Sequence, residues 1–362
     1  MKNLIRPLTA GALLAATLAT VTTTATAHEF SYWFGEPITW STNSCTMRLS
    51  AVSFSSSTVR NAMHEAADLW DDAPSDFNFF VLNNDTSVGL YNGQSESWFT
   101  SSQYYLSGAP AIAYTHGFGA HWSESDIMFD SAETWTFGNN KTSATAYFGN
   151  GVHFKSTAIH ELGHSMGLAH EADTYNVMGD SHRHLCANGS TVRAYPGEDA
   201  SDGAVELYGL AASRPEDVGI SHWRRVGRNG EYSSHDKVRV FREDGTVAER
   251  VGVNGEWGYE VEAGERIRVE FAIENNGSTT QRPRIRYYGS TNDFISTGDT
   301  LLASGRPTVS RNTVYMRRQT VTVPSSLSSG QEYFIGAILD YDSAIAESNE
   351  NNNRTYIGLR ID

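Results

Sequence analysis

Positively charged residues are scarce in this sequence. Its 362 residues include 27 Lys and Arg against 42 Asp and Glu, which gives a formal net charge of −15 at pH 7. A surface of this sign repels nucleic acid and anionic membranes, because both carry negative charge. Nucleic acid is therefore excluded as an expected partner.

Long apolar runs are also missing, except at the start of the chain. A short basic segment precedes an apolar stretch at residues 8–21, and an A-x-A cleavage site follows at residues 25–27. This order is typical of a secretory signal peptide cut before His28. A membrane anchor is the alternative, but the run is short for a span and rich in threonine. We predict a signal peptide at residues 1–27, secretion to the extracellular space directly or through a periplasm, and no membrane attachment afterwards.

The chain has only two cysteines, Cys45 and Cys186. An even number of cysteines in an exported protein favours a disulfide. A bridge between these two would contribute about 4–5 kcal/mol in the chain-entropy model. The alternative is that Cys45 blocks a metal as an inhibitory thiolate. We predict the disulfide.

The pattern of apolar residues changes near residue 213. Before it, three helical patterns begin near residues 57, 153 and 201, with strand-like segments between them. After it, short alternating runs are separated by turn residues, as in an antiparallel sandwich. We predict an α+β domain at residues 28–212, with a mixed sheet and about three helices. An all-β, immunoglobulin-like sandwich is predicted at residues 213–362.

The stretch H-E-L-G-H-S-M-G-L-A-H at residues 160–170 contains a set of metal-binding side chains. His160 and His164 are four residues apart, so on a helix their imidazoles project from one face toward one point. Gly167 can end the helix in the left-handed conformation, which lets His170 approach from another direction. Three imidazole ligands leave a fourth position for water, the arrangement of a catalytic zinc site.

Glu161 follows the first histidine, so on the helix it lies near the metal without pointing at it. Zinc lowers the pKa of a bound water to about 7. A carboxylate beside that water can take its proton and pass it to a leaving amine. We predict that His160, His164 and His170 bind one Zn²⁺ and that Glu161 is the general base.

With these residues in view, the chain resembles metzincin metallopeptidases, and among them the matrixins and their bacterial relatives. Met178 stands eight residues after His170, the spacing that matrixins use for the methionine turn, and Asp173 stands where matrixins have an aspartate. The resemblance covers roughly residues 36–211. It implies a metzincin-like catalytic domain with endopeptidase activity, and it implies that Met178 forms an apolar floor under the histidines.

The sequence departs from the matrixin pattern at several positions. Glu171 replaces the usual Ser or Thr after the third histidine. Asp180 occupies the position at which astacins have a tyrosine ligand, so no tyrosine ligand is expected there. Asp130 and Glu133 match a matrixin calcium position, and Ca²⁺ prefers such oxygen ligands. We therefore consider a Ca²⁺ ion at Asp130 and Glu133, with two solvated carboxylates as the alternative.

The C-terminal region resembles a CARDB-type β-sandwich, on the residues at 269–275 and 347–352. This resemblance implies an adhesion-like or targeting module that binds a surface or a protein partner. A spacer that aids folding is the alternative. The acidic and asparagine-rich cluster at residues 347–353 is either a cation site or a solvated loop.

Two functions of different classes are compatible with these features. The first is a secreted zinc endopeptidase that hydrolyses peptide bonds of extracellular proteins. The second is a non-catalytic adhesin or binding protein on a metzincin scaffold. Non-catalytic relatives commonly lose the base, whereas this sequence retains Glu161 and all three histidines. The sequence therefore favours the enzyme, with proteins or peptides as its substrates.

Overall fold

The computed structural model describes residues 29–147, 149–171, 177–179, 184–224 and 237–362. The predicted signal peptide, Asp173 and Asp180 lie outside the described residues.

The N-terminal part of the chain, up to about residue 212, contains four α-helices and eleven strands among its described residues. The helices are α1 (Ser57–Asp71), α2 (Gln103–Leu106), α3 (Phe154–Met166) and α4 (Glu198–Tyr208). The strands are β1 (Tyr32–Trp33), β2 (Glu36–Pro37), β3 (Ser44–Ser50), β4 (Asn78–Asp85), β5 (Ser95–Thr100), β6 (Ala111–Phe118), β7 (His121–Asp130), β8 (Trp135–Thr136), β9 (Val152–His153), β10 (Leu185–Asn188) and β11 (Thr191–Ala194). The three long helices correspond to the three predicted ones, and the fourth, α2, is only four residues long.

The apolar pattern of α1 explains both its length and its orientation. The Ser56 side chain caps the helix by accepting a hydrogen bond from the backbone N–H of Val59. Buried side chains then recur every three or four residues and form one apolar face: Ala62, Met63, Ala66, Ala67 and Trp70. This face packs on the core, and the Trp70 indole N–H donates to the Ile159 carbonyl of α3 at 2.9 Å. The two helices are thereby fixed against each other.

The main sheet of the N-terminal part has five strands in the order β4-β3-β5-β7-β6. Three of its pairings are parallel, and only β6 runs antiparallel to its neighbour β7. The mixed sheet therefore agrees with the predicted α+β class. β6 forms one edge of this sheet, and no other strand in the described residues pairs with it.

Among its described residues, the C-terminal part is all β, apart from one short 3₁₀ helix at Glu350–Asn352. Its strands are β12 (Val218–Ser221), β13 (Val240–Phe241), β14 (Arg250–Val253), β15 (Glu256–Val261), β16 (Arg266–Asn275), β17 (Ile285–Ser290), β18 (Thr300–Gly305), β19 (Thr313–Thr322), β20 (Glu332–Leu339) and β21 (Arg354–Ile361). In one sheet β16 pairs with β12, β13 and β19, and the other has the order β14-β15-β21-β20-β17-β18. Apolar residues of both sheets form one buried cluster between them. The predicted β-sandwich is confirmed.

The two parts share an extensive buried interface. One apolar cluster contains residues of both, and the Trp223 indole N–H donates to the Leu185 carbonyl. A buried glutamate of the sandwich, Glu256, accepts from Lys141 of the N-terminal part at 2.8 Å and from Lys237 at 2.9 Å. Breaking one partner of such a buried pair is costly, because the other charge is left unpaired away from water. The interface therefore fixes the sandwich firmly against the N-terminal part.

The prediction of a disulfide is wrong, because Cys45 and Cys186 are both free and buried. Cys45 lies on β3 inside the main sheet. Cys186 lies on β10 at the interface, where its Sγ is 3.2 Å from the Ile220 carbonyl oxygen of the sandwich. Cysteine is among the most frequently buried residue types, and here each thiol fills a separate part of the core.

None of the helices in the described residues has both the length and the apolar composition that crossing a bilayer requires.

Candidate metal centre

Helix α3 carries the first two histidines of the motif, and its two ends are set by local sequence. The His153 side chain caps the start by accepting from the Ser156 backbone N–H. Gly167 ends the helix with φ of 116°, a left-handed conformation that favours glycine. A Cβ at Gly167 would also lie 2.7 Å from the Ile38 carbonyl oxygen. Both backbone conformation and space therefore require glycine at the point where the chain turns toward His170.

The structure brings the three predicted ligands together. One nitrogen from each of His160, His164 and His170 lies within 4.8 Å of the others. The Nε2 atom of His160 is 3.0 Å from that of His170 and 3.1 Å from that of His164. His160 is buried and His170 is exposed, so the centre is open to solvent on one side.

The outer ring nitrogens determine which tautomer faces the centre. The Nδ1 atom of His160 is 2.8 Å from the Val177 carbonyl oxygen, and that of His164 is 2.8 Å from the Leu168 carbonyl oxygen. A carbonyl can only accept, so each Nδ1 carries the proton and each neutral Nε2 presents a lone pair. Lone pairs that converge at about 3 Å repel one another unless a cation lies between them. This donor set therefore fits a metal ion, with the carbonyls orienting the rings.

Met178 lies against the ligand helix at Gly163. A Cβ added at Gly163 would lie 2.4 Å from the Met178 Sδ atom and 3.2 Å from the Trp70 Cζ2 atom. The turn is tied to the segment after the third histidine, because the Glu171 backbone N–H donates to the Met178 carbonyl at 3.0 Å. The glycine between the two helical ligands therefore makes room for the methionine beneath them.

Glu161 is almost fully enclosed, with 4% of its surface exposed. Burial raises the pKa of its carboxyl group to about 8, and a hydrogen bond from the Ala113 backbone N–H opposes that rise. A divalent cation nearby would lower this raised pKa, since it favours the charged form of the carboxyl group. Ala113 belongs to the edge strand β6, so the carboxyl group is held between the ligand helix and that edge.

The structure does not support the predicted calcium ion at Asp130 and Glu133. The Asp130 carboxylate already accepts hydrogen bonds from the Gln103 side-chain amide and the Ala132 backbone N–H, both at 2.7 Å. In the part of the chain that is described, the three histidines are the only grouping of at least three His, Cys, Asp or Glu residues placed for a metal. Both oxygens of the Asp130 carboxylate therefore already have hydrogen-bond donors within the protein.

The alternative role for Cys45 also lacks support. Its thiol lies outside the histidine grouping, and burial raises its pKa to about 12. A thiol that remains protonated and enclosed cannot act as a metal-blocking thiolate.

Several features of the centre could not be read from the sequence. The carbonyls of Val177 and Leu168 and the N–H of Ala113 are backbone groups, which every residue type supplies. Gly163 is the one signal in the sequence, because a glycine inside a helix costs about 1 kcal/mol of stability relative to alanine. A glycine at such a position suggests that another residue packs too closely for a Cβ, and in the structure that residue is Met178.

Comparison with known proteins gives family matches for both parts of the chain. Residues 33–209 match the family model described as Matrixin, and residues 250–356 match the model described as CARDB. Mouse matrix metalloproteinase-25 is 25% identical over 186 residues, covering 51% of this chain and 28% of that protein. Matrilysin of Felis catus is 30% identical over 148 residues, covering 40% of this chain and 49% of that protein. The chain therefore spans less than half the length of these relatives.

Among solved structures, a CARDB domain from Pyrococcus furiosus is similar to part of this chain. It is 14% identical with a TM-score of 0.26, and the match covers 41% of this chain and 94% of that one.

Proposed function

We propose that this chain, which carries a matrixin domain followed by a CARDB domain, is a secreted zinc-dependent endopeptidase that hydrolyses peptide bonds of extracellular proteins. The observation that carries the proposal is the convergence of three imidazole nitrogens, two of them from a helix that also carries a buried glutamate. Structural zinc sites are closed by four protein ligands, whereas three ligands leave a position for water or substrate.

The chemistry divides between the metal and the residues of the chain. His160, His164 and His170 would hold one Zn²⁺ through Nε2. When bound, such an ion acts as a Lewis acid and makes water acidic enough to lose a proton near neutral pH. Glu161 takes that proton on a carboxylate oxygen and delivers it to the nitrogen of the leaving amine.

The edge strand supports an extended peptide as the substrate. β6 is the edge strand of the main sheet, and no further strand in the described part of the chain pairs with it. An extended chain can add to such an edge as another strand. Ala113, within β6, donates to Glu161. A peptide bound along β6 would therefore pass directly beside the base.

Secretion and the role of the second domain are further parts of the proposal. The signal-peptide pattern at residues 1–27 supports export, and the acidic net charge of −15 suits a soluble extracellular protein. We place the catalytic domain at residues 28–212 and the second domain at residues 213–362. The CARDB domain would bind a surface or a protein partner.

Zinc analysis combined with peptide hydrolysis tests this function. We expect one zinc per purified chain, loss of peptide cleavage with a chelator, and recovery when Zn²⁺ is returned. His164→Ala leaves two protein ligands, so zinc content and activity should both collapse. His64→Ala, in α1 and outside the histidine grouping, is the matched control and should behave as the wild type. One retained zinc in the His164→Ala variant would exclude the three-histidine site.

A further inference from the structure

A second group of buried oxygen atoms lies away from the histidines, at one end of the sandwich. It forms where the start of β12 and the end of β16 meet the segment 347–353. Asp217 is 7% exposed, although it carries a carboxylate. Glu347 is half-buried beside it. In the described residues neither carboxylate forms an ion pair with lysine or arginine, so both lack the partner that buried charges normally have.

Asparagine amides supply most of the hydrogen bonds to these carboxylates. Asn276 donates to Asp217 at 2.7 Å, and Asn352 donates to both Asp217 oxygens at 3.0 and 3.1 Å. Asn353 donates to Glu347 at 3.1 Å. These amides are neutral, so they satisfy hydrogen-bonding capacity without compensating the charge.

The side-chain oxygens of the same three asparagines lack hydrogen-bond donors within the described part of the chain. These buried atoms are Asn276 Oδ1, Asn352 Oδ1 and Asn353 Oδ1. Asn276, Asn352 and Asn353 are 5%, 0% and 4% exposed, so bulk water does not reach them freely. In each amide this oxygen shares a carbon with the nitrogen that binds the carboxylate, which keeps it within the same cluster. Buried acceptors without a donor are rare in native proteins and indicate an ordered water or an ion.

The charges on the cluster repel one another. Burial raises the pKa of Asp217 to about 7, and the nearby carboxylates of Asp72 and Glu350 raise it as well. Burial also raises the pKa of Glu347 to about 9, with Asp217 among the contributing charges. Burial and the neighbouring carboxylates therefore disfavour the ionised form of each acid. A cation bound between them would favour that form and lower both pKa values.

We propose that Asp217, Glu347 and the side-chain oxygens of Asn276, Asn352 and Asn353 form a Ca²⁺ site. Two carboxylates and three amide oxygens are the hard donors that Ca²⁺ prefers, and a Ca²⁺ ion takes six to eight of them. Zinc is disfavoured, because its sites use His nitrogen and Cys sulfur donors in a four-coordinate arrangement and this cluster offers only oxygens. Mg²⁺ is disfavoured, because it retains several waters instead of entering an all-protein set of ligands.

The position of the site suggests what the ion does. A cavity of about 20 Å³ lies beside it, lined by Asp217 and Asn276 of the sandwich and by Asp72, Ala73 and Ser201 of the N-terminal part. This volume is enough for roughly one water molecule. The Ca²⁺ site therefore lies at the contact between the two domains, and calcium would strengthen their attachment without taking part in peptide hydrolysis.

The test measures calcium binding by the full-length, zinc-loaded protein. CaCl₂ is titrated into calcium-free buffer while the Tm is recorded, and MgCl₂ is titrated in parallel. A site that binds only the folded protein raises Tm with ligand concentration, on the order of 5 °C at about a hundredfold excess over Kd. We expect a saturable rise with calcium and a much smaller one with magnesium. No rise at millimolar calcium would overturn the proposal.

Charge-neutral variants locate the effect. Asp217→Asn keeps the shape of the side chain and removes one ligand charge. Its affinity for calcium should fall at least tenfold, so the rise in Tm should need at least ten times more CaCl₂. Glu347→Gln should behave in the same way, and it serves if the first variant fails to fold. Asp244→Asn, in an exposed turn of the same domain, is the matched control and should retain the full rise. An undiminished rise in both site variants would place the calcium elsewhere.

Discussion

Replacing Glu161 with glutamine separates its proposed role as a base from its place in the fold. Glutamine has the same shape, and its remaining carbonyl oxygen can still accept the hydrogen bond from Ala113. The substitution removes only the capacity to take a proton. Because an amide costs less to bury than a carboxylate, the metal-free variant should melt no lower than the wild type.

The expected loss is set by general acid–base catalysis, which contributes about 10²–10⁴-fold. At about 1.4 kcal/mol for each factor of ten, this corresponds to roughly 3–6 kcal/mol of activation free energy. Glu161 is not a ligand, so zinc content should remain at one per chain. KM for a short peptide should change little, since ground-state contacts are intact.

The assay follows a fluorogenic peptide under saturating conditions and measures zinc in the same preparation. The control is Glu243→Gln, an exposed glutamate of the sandwich whose side chain is 72% accessible; its kcat should equal that of the wild type. A Glu161→Gln variant that retains zinc and more than about a tenth of wild-type kcat would refute the mechanism.

Two further predictions concern the core and the interface. In denaturant, without reductant, thiol titration should find two reactive groups per chain, because Cys45 and Cys186 are buried separately; a count of zero would restore the disulfide. Ending the chain at Ala212 should lower Tm sharply and increase binding of a hydrophobic dye, because Leu185 and Cys186 would no longer be covered by the sandwich. Each large apolar side chain that becomes exposed should lower the free energy of unfolding by about 1.5–3 kcal/mol. A truncated chain with an unchanged Tm would show that the interface contributes little.

Local patterns in the sequence were reliable where the chain itself sets the geometry. A spacing of four residues places His160 and His164 on one face of any helix. Gly167 ends that helix because only glycine adopts its backbone angle without strain. The second helical pattern, predicted to begin near residue 153, agrees to within one residue with the start of α3 at Phe154–Met166. The period-two runs after residue 213 likewise became a sandwich.

Predictions that depended on contacts between distant residues were less reliable. An even cysteine count suggested a bridge, but the folded chain places Cys45 in the main sheet and Cys186 against the sandwich. Two acidic residues suggested calcium at Asp130 and Glu133, but the Asp130 carboxylate accepts from Gln103, 27 positions away, and from the Ala132 backbone N–H. Residue type gives the chemical capacity of a side chain, whereas its neighbours decide whether that capacity is already used.

The sequence by itself predicted the two fold types and the three histidines that the structure brings together, because each depends on helical or strand periodicity within a few turns of chain. The roles of those histidines as zinc ligands and of Glu161 as the base stay predictions. The tertiary structure decided which strand is left at the sheet edge beside Glu161. It also decided which charges are buried together, as with Lys141 and Glu256, which are 115 positions apart. Asp217 and Asn352 meet across 135 positions. Burial and the pairing of distant charges arise only when the whole chain packs, so no local pattern could have revealed them.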